Sequence, residues 1–192
     1  HFQLLDENHR ALQTMRSFVG MMPGERRGCL GCHESHSRAP VTAKAAALLD
    51  APRDITPPPW LDTTVSWRRN VRPVLDRYCA ECHEGDGEGR KVFDTTERPG
   101  DPSVFTEPYL TLIGRPAWGA PYTPPENPPP GFGLAGVLMV EAFGQTDPAA
   151  YVTPKPMTSL SYRSPLIERA SSGAHHGVKV DDESLMRLIH WV

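Results

Sequence analysis

The sequence predicts a mainly α-helical fold with much irregular loop, preceded by a small β-hairpin. Three observations predict it. The 192-residue chain holds 21 prolines and 16 glycines, about a fifth of its length against roughly 12% on average, so much backbone should lie outside regular elements. Two stretches, 66–82 and 181–192, carry apolar residues at helical spacing. Near the start, two short apolar runs flank a cluster of turn residues.

The elements follow in order. Phe2-Gln3-Leu4-Leu5 and residues 11–19 read as two strands, with Asp6-Glu7-Asn8-His9 as the turn between them. A lone two-stranded hairpin is marginal in water, so this one should pair with further sequence or pack on another body. Thr42 to Leu49 is Ala-rich and suits a short helix, and residues 50–59, with Pro52 and Pro57-Pro58-Pro59, read as a linker. From Ser66 to Cys82, one helical face carries Trp67, Val71, Val74, Leu75 and Tyr78. Pro73 fits the first turn if Asn70 is the cap, because those N–H groups have no intrahelical partner. The last helix has Asp181 or Asp182 as cap, Glu183 in its first turn and a stripe of Leu185, Leu188, Ile189 and Val192.

Two domains are expected: residues 1–55 as a hairpin-and-loop segment, and residues 60–192 as a helical domain with a Pro-rich insertion at about 90–160. Pro121 to Pro130 holds six prolines and reads as loop or polyproline-like backbone, while Gly131 to Phe143 is apolar and should pack inward. The balance of 20 Lys and Arg against 23 Asp and Glu, net charge −3, argues against a nucleic-acid binder. No apolar run is long enough to predict a membrane span. The start at His1, with no visible signal peptide, reads as a mature or excised piece of a longer chain.

The four cysteines carry the chemistry. They read Cys29-Leu30-Gly31-Cys32-His33 and Cys79-Ala80-Glu81-Cys82-His83, which is C-x-x-C-H, the c-type haem attachment pattern. Two thiols add to the two vinyl groups on one porphyrin edge, and the next histidine is delivered beneath the iron as an axial ligand. Rival readings fit less well. Zinc ribbons separate their pairs by roughly 15–20 residues, whereas 46 residues lie between Cys32 and Cys79. A redox dithiol needs a βαβ context that neither site has, and plain disulfides need no histidine after each pair. The expected cofactors are two covalently attached haems c, one on each segment. Their attachment places the chain outside the cytoplasm: periplasm, an equivalent lumen, or secreted. A helix running into C-x-x-C-H, with an amphipathic helix closing the chain, makes residues 60–192 cytochrome c-like.

Three segments also resemble a known family. Phe2 to Glu7, Met15-Arg16-Ser17 and Pro23 to Glu34 are similar to the C-terminal part of planctomycete hydrazine synthase alpha-subunit-like proteins. So are Val71 to Cys79, Ser164 to Ile167, Gly173 to Val180 and Leu188 to Val192. The resemblance covers residues 2–34, 66–88 and 160–192. It implies a region that follows a β-propeller and carries two c-type haems. Related modules occur in proteins that make no hydrazine. In the hydrazine-forming members a tyrosine shortly after the first motif serves the iron. Here Glu34, Ser35, His36, Ser37 and Arg38 follow, which favours ligation by His33.

The proximal ligands are expected to be His33 and His83. For the second iron, the distal candidates are His175 and His176, in the loop before the last helix, with Met157 as competitor; His175 matches the family histidine better. For the first iron, Met15, Met21, Met22, His9 and His190 stay open, and His36 sits too near His33 to reach the opposite face. Arg26 and Arg27 could neutralise a haem propionate. Glu84 to Gly89 alternates acidic residues with glycine but lacks EF-hand spacing, and reads as a solvated turn rather than a calcium loop.

The function these residues predict is one-electron transfer by a dihaem cytochrome, either to a redox partner protein or to other domains of a longer chain. Self-association into a conducting stack is a further option. The alternative is an enzyme module whose first haem is open and acts on a small nitrogen compound or peroxide.

Overall fold

Pro73 shapes the start of the first long helix. It lacks an N–H, and its ring crowds the carbonyl four residues earlier. The chain accommodates it with a wider turn. Trp67–Val71 is π-helical, closed by a bond from the Arg72 N–H to the Trp67 carbonyl, and α1 (Arg72–Tyr78) follows with Pro73 in its first turn. The helical path thus begins earlier than Asn70. Ser66 is the cap, its Oγ accepting from Arg69 N, while buried Asn70 turns back and accepts from Ser66 N at 2.8 Å.

The computed structural model describes residues 2–15, 19–28, 49–51, 54, 56–57, 64–100, 103–114, 127–128, 130–137 and 155–192. The Ala-rich stretch, most of the linker and the proline run at 121–130 largely lie outside these. Among the described residues the fold is mainly α, with one small antiparallel sheet. After α1 come α2 (Ala80–His83), a short 3-10 turn at Glu88–Lys91, α3 (Glu107–Ile113), α4 (Leu160–Arg163), α5 (Pro165–Ser172) and α6 (Asp182–Trp191). The sheet pairs β1 (Gln3–Leu5) with β2 (Ala11–Thr14), in register Gln3 with Thr14 and Leu4 with Gln13, and with an irregularity before Leu5. The second strand is therefore shorter than its apolar run. Asp6 builds the turn by accepting from Asn8 N and Arg10 N through one carboxylate oxygen.

The hairpin rests on the helices. Met157 N donates to Leu12 O at 2.8 Å, and Ala11 N donates to the Oγ of Ser161, in α4, at 2.8 Å. Those bonds give a marginal two-stranded unit the support it needs.

One apolar core joins the helices. Val71, Val74 and Leu75 meet Leu166, Ile167 and Ala170 of α5, Leu188 and Ile189 of α6, and Leu112 of α3. The face expected on the first helix is thus the buried one, and Trp67 and Tyr78 pack at its rim. Asp181 caps α6, accepting from Ser184 N at 2.8 Å. The start of the first helix meets the end of α6 through Trp67 and Trp191, ring centres 5.3 Å apart.

The region read as an insertion at about 90–160 contributes to this core, and the described part of Gly131 to Phe143 packs inward as expected. Phe93, Leu112 and Ala135 are buried in it, and Leu134 and Val137 pack against it. Three helices were not read from the sequence: α3, α4 and α5. The signals for α3 were a Thr106 cap position, Pro108 in the first turn and Gly114 after the end. Among the described residues no helix is long and apolar enough to cross a membrane.

Candidate functional site

The second C-x-x-C-H occupies a single helical turn. Cys79 leaves helical geometry (φ −121°) and ends α1. Its carbonyl then accepts from Cys82 N at 3.2 Å and His83 N at 3.0 Å. One tight turn thereby gathers both thiols and the imidazole. Cys79 is half-buried and Cys82 exposed. Burial, with Cys82 beside it, pushes the Cys79 thiol up to about 11. Redox C-x-x-C pairs instead lower a thiol pKa to form thiolate.

The tautomer of His83 is fixed by its neighbour. Its Nδ1 lies 2.7 Å from the Phe93 carbonyl. A carbonyl only accepts, so Nδ1 carries a proton, and in the neutral ring Nε2 is then the nitrogen with the lone pair. Metal-bound histidines are held in this way, with one ring nitrogen donating to a backbone oxygen and the other facing the metal.

His175 is the imidazole beside His83. α5 ends at Gly173, in the left-handed region. The loop 173–178 closes through Gly177 N to Gly173 O and Val178 N to His175 O, and Val180 N anchors it to Ala170 O. This places the His175 ring 6.0 Å from that of His83, with the planes 29° apart. Two imidazoles bound to one metal from opposite sides, each at about 2 Å, have centres about 6 Å apart. The two rings are thus spaced as ligands of one metal would need to be, and His83 and His175 are the residues that would hold an iron porphyrin here. Burial, then His176, His83 and Arg169, hold the His175 pKa below the ordinary histidine value, which favours the neutral ring that coordinates metal. His176 lies edge-on to His175, ring centres 4.9 Å apart. Met157 is half exposed on the turn before α4, tied by its backbone to Leu12.

Cys29, Cys32, His33 and His36 lie outside the described residues, as does the surrounding loop. Of the candidates for the first iron, Met21 and Met22 are exposed and Met15 is half-buried. His9 and His190 face each other, ring centres 6.3 Å apart. Arg27 pairs with Glu25 at 2.5 Å. The acidic turn after His83 has a role the sequence did not show: Glu84 pairs with Arg72, and the glycines let the loop fold back over the motif. Among the described residues no group of three or more metal-ligating side chains occurs. Phe93, as partner of His83, was also missed. It acts through its backbone carbonyl, and no residue type signals that.

Comparison with known proteins bears on the start of the chain. No curated protein and no solved structure matches it. The family model described as hydrazine synthase alpha subunit middle domain matches residues 1–34, the hairpin through the first C-x-x-C-H, and so supports a hydrazine-synthase-like relation for this segment.

Proposed function

We propose that this chain is a dihaem c-type cytochrome module that passes single electrons. The proposal includes its kinship with the C-terminal dihaem region of hydrazine synthase alpha-subunit-like proteins, an extracytoplasmic location, and a redox partner that is either a separate protein or another domain of a longer chain. The two C-x-x-C-H motifs are its sequence basis. The observation that carries it is the placing of His175 6.0 Å from His83 across more than ninety residues of chain.

When bound, each haem supplies an iron that changes oxidation state by one electron. The residues of this chain do the rest. Cys79 and Cys82 tether the porphyrin. His83 ligates through Nε2 while Nδ1 donates to Phe93 O. His175 would supply the second axial imidazole, and an iron so held would be closed to substrates and suited to electron transfer rather than bond-making. Cys29, Cys32 and His33 hold the first haem.

Intact-mass analysis of the protein purified from a haem-attaching host should show two added haems. Low-temperature electron paramagnetic resonance should then give two low-spin ferric signals. A bare polypeptide mass would end the proposal. A high-spin signal from the first site would favour the enzyme reading over the carrier.

A further inference from the structure

The segment after the second motif wraps the proximal histidine more closely than attachment requires. Thr95 is fully buried. Its N–H donates to the His83 carbonyl at 2.9 Å, and its Oγ1 to the same carbonyl at 3.1 Å. Two residues earlier, the Phe93 carbonyl takes the proton of Nδ1. One short stretch thus grips both the backbone and the ring of His83. Arg72 holds that stretch from outside, donating to the Thr95 carbonyl and pairing with Asp76 at 2.5 Å and Glu84 at 3.4 Å.

Gly89 completes the enclosure. A Cβ there would lie 2.8 Å from Cε1 and 3.0 Å from Nδ1 of His83, and 2.9 Å from the Cys82 carbonyl. Only a residue without a side chain lets the loop close on this edge of the imidazole. The contact falls on the ring atoms beside the proton that Phe93 accepts. A displacement there alters the geometry of that hydrogen bond.

We propose that Gly89 and Thr95 are positioning residues that set the rotation of the His83 ring and the strength of its Nδ1–H···O=C bond, and through these the reduction potential of the second haem. The inference rests on the electron-transfer reading given above. A firm bond at Nδ1 makes the imidazole a stronger donor, which stabilises ferric iron and lowers the potential. Weakening the bond raises it.

The test uses the full chain with its haems attached. Gly89→Ala and Thr95→Val are compared with Thr95→Ser, which keeps the hydroxyl, and with Gly20→Ala, where a Cβ meets nothing within 4 Å. Spectroelectrochemical titration should show one of two reduction waves moving to higher potential in Gly89→Ala and Thr95→Val. The other wave should stay in place. Thr95→Ser and Gly20→Ala should match the parent. Electron paramagnetic resonance should show shifted g-values for the same single haem. Should Gly89→Ala fail to acquire the second haem, the isosteric Thr95→Val decides alone. Unmoved potentials and g-values in a parent that carries both haems overturn the positioning role and leave the electron-transfer reading standing. A parent without the second haem removes that reading itself.

Discussion

The Tyr78 hydroxyl donates to an Asp181 carboxylate oxygen at 2.6 Å. That bond joins the residue just before the second C-x-x-C-H to the cap of the closing helix. Asp181 has three functions at once: it caps α6 through Ser184 N, accepts from Ser184 Oγ, and receives Tyr78 from α1. The bond from Tyr78, then those from Ser184, with Arg77 nearby, hold its carboxyl well below the usual carboxylate range.

Acid should therefore loosen this clasp. A carboxylate with a depressed folded-state pKa contributes stability that is fully present above its unfolded value, about 3.9, and is lost as pH falls toward the folded value. The contribution should be flat from pH 7 to about 5 and decline below about 4. Tyr78→Phe should lower the melting temperature at pH 7, and its deficit against the parent should shrink between about pH 4 and 2. Thermal melts followed by circular dichroism across that range check this. A deficit that stays constant to pH 2 would show that the Asp181 bond does not carry the effect.

On the proposed dihaem reading, the second iron should open to external ligands when His175 is lost. In reduced His175→Ala, carbon monoxide should shift the Soret band of one haem, whereas His176→Ala and Met157→Ala should add no such response to the parent spectrum. Open positions bind such ligands and filled ones do not. A response in Met157→Ala with none in His175→Ala would reassign the ligand.

Leu188 is 1% exposed and sits where α6 meets the first helix and α5. Truncating a buried leucine costs about 2–5 kcal/mol, from lost burial and the cavity left behind. Leu188→Ala should fall in that range by urea denaturation. Val104→Ala, at a position 69% exposed, should change stability by less than about 0.5 kcal/mol.

Gly114 ends α3 in the left-handed region at φ 85°, and a Cβ there would lie 2.9 Å from the Gly133 Cα. Both the backbone angle and the close approach exclude a side chain. Gly114→Ala should destabilise by about 1 kcal/mol or more, because the conformation that suits glycine strains alanine. A neutral result in the same denaturation experiment would show that the 114–133 contact gives way freely.

The sequence alone determined what local spacing encodes. The paired C-x-x-C-H motifs, the apolar face from Trp67 to Tyr78, the stripe and cap of α6 and the opening hairpin are all patterns within about a dozen residues, read directly from helix and strand periods. Tertiary structure decided which distant groups meet. It chose Phe93 O as the partner of His83 and seated His175 rather than Met157 beside it. It put β2 on α4 and drew Phe93 and Leu112, from the region read as an insertion, into the core. Those choices depend on backbone carbonyls and on burial, which every residue type can supply once the chain has folded around them.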